Sequence, residues 1–164
     1  MGQHMQIEAL PSVLVLHLER FLYDAAADGI VKINKPVQFP PELEIPLGKS
    51  FSFVFLVHRR LRIHLVSVGP ETITPIARKS MESTRYKLYG VVYHRGESAS
   101  GGHYMVDVHH QNGDSGGGEA WLHIDGEAVS TVRYEDVFGG HDGERVEDEC
   151  VDMLVYCRTA PTQT

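Results

Sequence analysis

Cysteine is nearly missing from this chain: Cys150 and Cys157 are the only two in 164 residues. Two thiols cannot build a disulfide framework or a four-cysteine zinc ribbon, and such scarcity fits a reducing compartment. Basic residues are outnumbered, 15 Lys and Arg against 22 Asp and Glu, which leaves a net charge of −7. A general nucleic-acid binder needs a basic stripe or patch, so a protein partner fits better. Long apolar runs are absent as well. The longest, residues 51–57 and 61–68, are separated by His58, Arg59 and Arg60 and are each too short to cross a bilayer. Residues 1–6 have no apolar signal core, and Gln6 stands where N-myristoylation requires Ser or Thr. No membrane attachment is expected, and a cytoplasmic or nuclear location follows.

What remains is an ordinary globular composition, 42% apolar and 23% charged, enough for one domain with a real core. Residues 13–18 are apolar at nearly every position and rich in branched side chains, which predicts a strand buried on both faces. A turn-like stretch at 24–29 precedes a short apolar piece at 30–33. Pro36, Pro40, Pro41 and Pro46 then exclude a central strand or long helix and predict irregular chain with edge pairing. Residues 86–93 and 104–109 alternate with the two-residue period of strands, and 120–125 and 151–156 read as further strands. A Gly-rich loop occupies 110–118, and 134–138 reads as a helical turn that Gly139 and Gly140 end. The expected architecture is a largely antiparallel sheet with little helix, the β half of an α+β domain.

If the Gly-rich loop joins neighbouring strands so that paired residue numbers sum to about 228, His103 lies directly opposite Asp125. Opposed side chains on one face have Cβ atoms about 4.5–5.5 Å apart, close enough for an imidazole–carboxylate hydrogen bond. Such a pair is the base and orienter of a nucleophilic triad. Gly101 and Gly102 would let an extended peptide approach the histidine. By itself a His–Asp pair across a hairpin is more often structural than catalytic.

The run from Tyr86 to Tyr104, with Leu88, Gly90, His94, Gly96, Gly102 and His103 at its spaced positions, resembles the histidine box of the ubiquitin-specific proteases. Leu10, Pro11, Leu14, Leu16, Leu18, Arg20 and Phe21 resemble the strand those enzymes carry upstream of it. Trp121 to Asp125 is similar to their motif for the third triad residue, and Met153 to Arg158 to their final strand. The resemblance implies a papain-like cysteine protease fold of which this chain is mainly the antiparallel β palm half, spanning residues 10–158 between an extension at 1–9 and a tail at 159–164. It implies His103 as general base and Asp125 as its orienter, with Gly101, Gly102, Tyr104 and His94 beside the substrate. The implied substrates and partners are ubiquitin and ubiquitinated proteins, cleaved after ubiquitin's C-terminal glycine. No cofactor and no metal are implied.

Several positions depart from that pattern. No cysteine box precedes Leu10, so the nucleophile is not expected among these residues. Cys150 and Cys157 read as strand-flanking thiols whose apolar surroundings raise their pKa. The paired cysteines of a fingers zinc site are missing, and His109 and His110, adjacent on a strand, point to opposite faces. Glu19 stands where relatives usually carry lysine, and Gly126 where many carry a second acid. Residues 48–71 form a basic, apolar, β-prone insertion, read either as a retained intron translated in frame or as a genuine variable insertion. The expectation is a deubiquitinase family member, inactive as an isolated chain. A non-catalytic ubiquitin-binding module and an unstable fragment are the alternatives.

Overall fold

The computed structural model describes residues 10–45, 62–68, 85–98, 100–111, 119–138 and 149–159; for 62–68, 111 and 119 it describes the backbone alone. The predicted Gly-rich loop beyond 111, the Gly139 and Gly140 helix stop, Pro46, and all of the insertion except 62–68 lie outside these residues.

Alternating branched and aromatic residues build strands β1 (Val13–Glu19), β2 (Phe21–Asp24), β3 (Gly29–Lys32), β4 (Glu42–Glu44), β5 (Arg62–Val68), β6 (Arg85–Arg95), β7 (His103–Gln111), β8 (Glu119–Asp125), β9 (Ala128–Val132) and β10 (Glu149–Arg158). A single-turn helix, α1 (Tyr134–Phe138), stands between β9 and β10. The main sheet runs β5-β1-β10-β6-β7-β8-β9, every described pair antiparallel, while β2 and β3 form a separate hairpin. Strand β4, within the proline-punctuated stretch, pairs with the start of β6, as an edge segment. Residues 62–68 of the insertion pair in full register with β1 and form one edge of the sheet.

One sheet face carries the core. Leu14 and Leu16 stand opposite Tyr156 and Leu154, which stand in turn opposite Leu88 and Val91. All six are buried, together with Tyr86, Tyr93, Met105 and Trp121. Ile45, Phe39, Val137 and Phe138 cover them. The helix that delivers Val137 is a single turn clamped by Arg133, whose guanidinium donates to both carboxylate oxygens of Asp136 at 2.7 Å.

The opposite face is not closed in the same way. Its rungs run Val15, Val155, Gly90, Val108, Leu122 and His17, Met153, Val92, Val106, Ile124. Apart from Gly90 these residues are only half-buried. β1 is therefore buried on one face, not on two as its composition predicts, because composition reports what a strand can bury and not what lies over it.

The simple alternation expected of β6 also breaks. Tyr89 is an extra residue between the rungs Gly90↔Val155 and Leu88↔Tyr156, and Asp152 is its counterpart in β10. The bulge turns Tyr89 outward and shifts the phase, so Tyr86, Leu88, Val91 and Tyr93 all face inward. Gly90 belongs to this irregularity. A Cβ there would meet the Asp107 carbonyl at 3.5 Å, an ordinary contact. Both cysteines lie inside β10 and do not flank it.

Candidate active site

β7 and β8 pair with residue numbers summing to 230, as in Asp107↔His123, two more than the register expected from the sequence. A slip of two residues preserves which face each side chain occupies. His103 and Asp125 therefore still share a face, but as diagonal neighbours past the last rung, Val106↔Ile124. They meet nonetheless: His103 Nε2 hydrogen-bonds Asp125 Oδ1. A carboxylate only accepts, so Nε2 carries the proton and Nδ1 is left with the basic lone pair. This bond, more than any other influence, holds the Asp125 carboxyl below the usual range, with further attraction from His123 and Arg95. Both side chains are partly open to solvent, 50% exposed for His103 and 38% for Asp125, so a reactant can reach the imidazole.

The loop before His103 is set by His94. This imidazole is 2% exposed, edge-on to Phe21 at 5.5 Å and tilted against the ring of Tyr104 at 4.8 Å between centroids. A side chain at Gly102 would collide with the His94 ring and come within 2.8 Å of the Arg95 carbonyl, so only glycine fits. At Gly101 a Cβ would meet nothing within 4 Å. Tyr104 is 56% exposed beside them. Thus Gly102, His94 and Tyr104 form one packed unit, Gly101 lies open next to it, and His94 faces the loop backbone from beneath. Burial, helped by the Lys32 ammonium and opposed by Asp152, pushes the His94 imidazole down. Its Nδ1 has no hydrogen-bond partner among the described residues. Lys32 closes the far side by donating to the Gly96 carbonyl at 2.6 Å and the His94 carbonyl at 3.3 Å.

Neither thiol is primed for attack. Burial raises Cys150 above its ordinary value and does the same to Cys157. Cys150, 6% exposed, directs its sulfur to the His94 carbonyl at 3.7 Å. No cluster of three His, Cys, Asp or Glu side chains among the described residues is arranged to hold a metal. His109 is buried against Trp121 and His110 is exposed, on opposite faces. Trp121 is 5% exposed and packs edge-on to Phe138, as a core anchor.

One group of polar side chains was not anticipated from the sequence. Asp107, 1% exposed, accepts from the Tyr93 hydroxyl at 2.8 Å and from His123 Nδ1 at 2.6 Å. Its signal was present but unread: an aspartate on the inward phase of β7 must find donors, and the register of 230 puts a histidine straight across from it.

The ubiquitin carboxyl-terminal hydrolase family profile matches residues 2–156. The chain is 41% identical over 135 residues to a Schizosaccharomyces pombe protein named probable ubiquitin carboxyl-terminal hydrolase 3, covering 82% of this chain and 20% of that protein. It is 36% identical over 132 residues to mouse ubiquitin carboxyl-terminal hydrolase 10, covering 80% of this chain and 13% of the mouse protein. The chain thus spans a fifth or less of the length of these curated relatives. Among solved structures, a SAGA DUB module superposes with a TM-score of 0.51 at 23% identity, over 92% of this chain and 24% of that one, and so shares its fold. By its match across residues 2–156 and its likeness to named hydrolases, this chain belongs to the ubiquitin carboxyl-terminal hydrolase family.

Proposed function

We propose that this chain supplies the base and orienter half of a thiol-dependent deubiquitinase of papain-like fold, which hydrolyses the bond after ubiquitin's C-terminal glycine. The observation that carries the reading is the His103 Nε2 to Asp125 bond. Asp125 fixes the proton on Nε2, and Nδ1 takes the proton of a nucleophilic thiol and returns it to the leaving amine. The thiol is placed outside these 164 residues, since Cys150 is buried with its sulfur on the His94 carbonyl and burial raises both thiols above their ordinary value. Gly101, Gly102, Tyr104 and His94 form the wall along which the extended Gly-Gly tail of ubiquitin passes, with His94 acting from beneath through the Gly102 backbone. The partners are ubiquitin and ubiquitinated proteins rather than nucleic acid or membrane, in keeping with the net charge of −7, and the setting is cytoplasmic or nuclear.

The test is a fluorogenic amide on ubiquitin's C-terminus. The isolated chain is expected to give no turnover, because without a thiolate no acyl-enzyme forms. A longer chain that joins a cysteine-bearing segment ahead of this one is expected to turn over and to lose at least about a hundredfold in His103→Ala. Turnover by the isolated chain that disappears in His103→Ala would overturn the division of labour.

The open Gly101 and exposed Tyr104 beside the pair favour a second reading for the chain on its own, a ubiquitin-binding module without catalysis. Saturable NMR shifts around the tail of ubiquitin would support it, and their absence would remove it.

A further inference from the structure

Asp125 is the last residue of β8 and lies past the final β7–β8 rung. A hairpin of only Gly126 and Glu127 follows it, so no rung between β7 and β8 fixes its side chain directly. Two residues earlier on the same face stands His123, 33% exposed, its Nδ1 held by Asp107 at 2.6 Å. Asp107 is itself tied to the Tyr93 hydroxyl at 2.8 Å, and Tyr93 is 1% exposed. The three groups link β6, β7 and β8: Asp107 and His123 share a rung two residues from the level of Asp125, and Tyr93 reaches Asp107 diagonally from the rung of Met105.

We propose that Tyr93, Asp107 and His123 form a positioning clamp that fixes β8 beneath Asp125, and so holds Asp125 where it keeps the proton on His103 Nε2. The inference rests on the function proposed above and deepens it. A carboxyl as buried as Asp107 destabilises the fold unless donors satisfy it, and Tyr93 and His123 donate to its two oxygens from the strands on either side of its own. Loosening either bond withdraws a donor from a buried carboxylate oxygen, which is what makes the clamp stiff. His123 also faces Asp125 and attracts its carboxylate, as Arg95 does from β6. Deletion of the clamp is thus expected to free the Asp125 rotamer while leaving the Asp125 side chain chemically intact.

The measurement is the His103 Nε2–H proton resonance in the full 164-residue chain, visible by NMR only while a hydrogen bond protects it from exchange with water. It is expected in the parent chain and lost in Asp125→Ala, which removes the acceptor. It is expected to be lost as well in His123→Ala, and to return in His123→Arg, whose guanidinium can still donate to Asp107. A purely structural role would not be rescued selectively at this proton. Should His123→Ala fail to fold, Tyr93→Phe, which removes one hydroxyl from a buried ring, carries the comparison and is expected to weaken the resonance. Absence of the resonance in the parent chain, or its persistence in Asp125→Ala, would remove the pair and with it the proposed function. Loss in Asp125→Ala with full retention in His123→Ala or Tyr93→Phe, or no recovery in His123→Arg, would remove the clamp alone.

Discussion

At Gly102 the backbone leaves no room for a side chain, because the His94 ring and the Arg95 carbonyl fill the place a Cβ would take. Gly102→Ala is expected to destabilise the chain by about 1–3 kcal/mol, an overpacking cost readable by urea denaturation. Gly101→Ala meets nothing and is expected to be near neutral. His94 sets a pH dependence of definite sign. Burial holds its imidazole below its ordinary value of 6.5, so on acidification the unfolded chain takes up the proton first. Stability is then full above about pH 6.5 and falls as the pH drops below it. The urea midpoint is expected to decrease between about pH 7.5 and about pH 5.5, and less so in His94→Phe, which keeps an aromatic ring against Phe21 and Tyr104. Asp152 opposes this trend: its carboxyl is raised by burial, so the folded chain gains relative stability as that group protonates. An equal slope in parent and variant would contradict the assignment.

The two-residue hairpin between β8 and β9 explains the glycine at 126. Gly126 has φ +59° and Glu127 is not in the left-handed region, the arrangement of a type II′ turn with glycine first. A Cβ at 126 would touch nothing within 4 Å, so substitution costs backbone strain and no contact. Gly126→Ala is expected to lower stability by about 1 kcal/mol in urea titrations, and Gly126→Asn by less. A missing second acid at this position is therefore also a requirement of the turn. At this scale the sequence was only partly readable. The strands at 86–93 and 104–109 followed from their alternation and that at 13–18 from its run of branched apolar residues, while 120–125 was read as a further strand. The bulges at Tyr89 and Asp152 did not, because an extra residue is invisible until its partner strand is known. The β7–β8 register was misjudged by two for a similar reason: both registers put the same residues inward.

Over the whole molecule, the sheet has one sealed face and one half-open face, and substitutions should report the difference. Leu16, fully buried between β5 and β10, is expected to lose about 2–5 kcal/mol as Leu16→Ala. Its half-buried neighbour Val15, on the other face, is expected to lose less than about 1.5 kcal/mol as Val15→Ala. Comparable losses at both sites, measured by calorimetry, would show that the second face is covered as tightly as the first. The row of Val92, Val106, Ile124 and Met153 also predicts binding of a hydrophobic dye by the folded chain, reduced when Val106 is replaced by lysine.

The sequence alone determined the family, five strands of the main sheet and the identity of the imidazole and carboxylate that meet, because these depend on residue type and spacing along one chain; the strands at 21–24 and 128–132 were not foreseen. Which diagonal brings His103 to Asp125, why Gly102 admits no side chain, and that Asp107 joins Tyr93 to His123 were decided only by the tertiary structure. Those contacts depend on cross-strand register and on which face is covered. Both are set by how several segments pack at once, and no single segment encodes them.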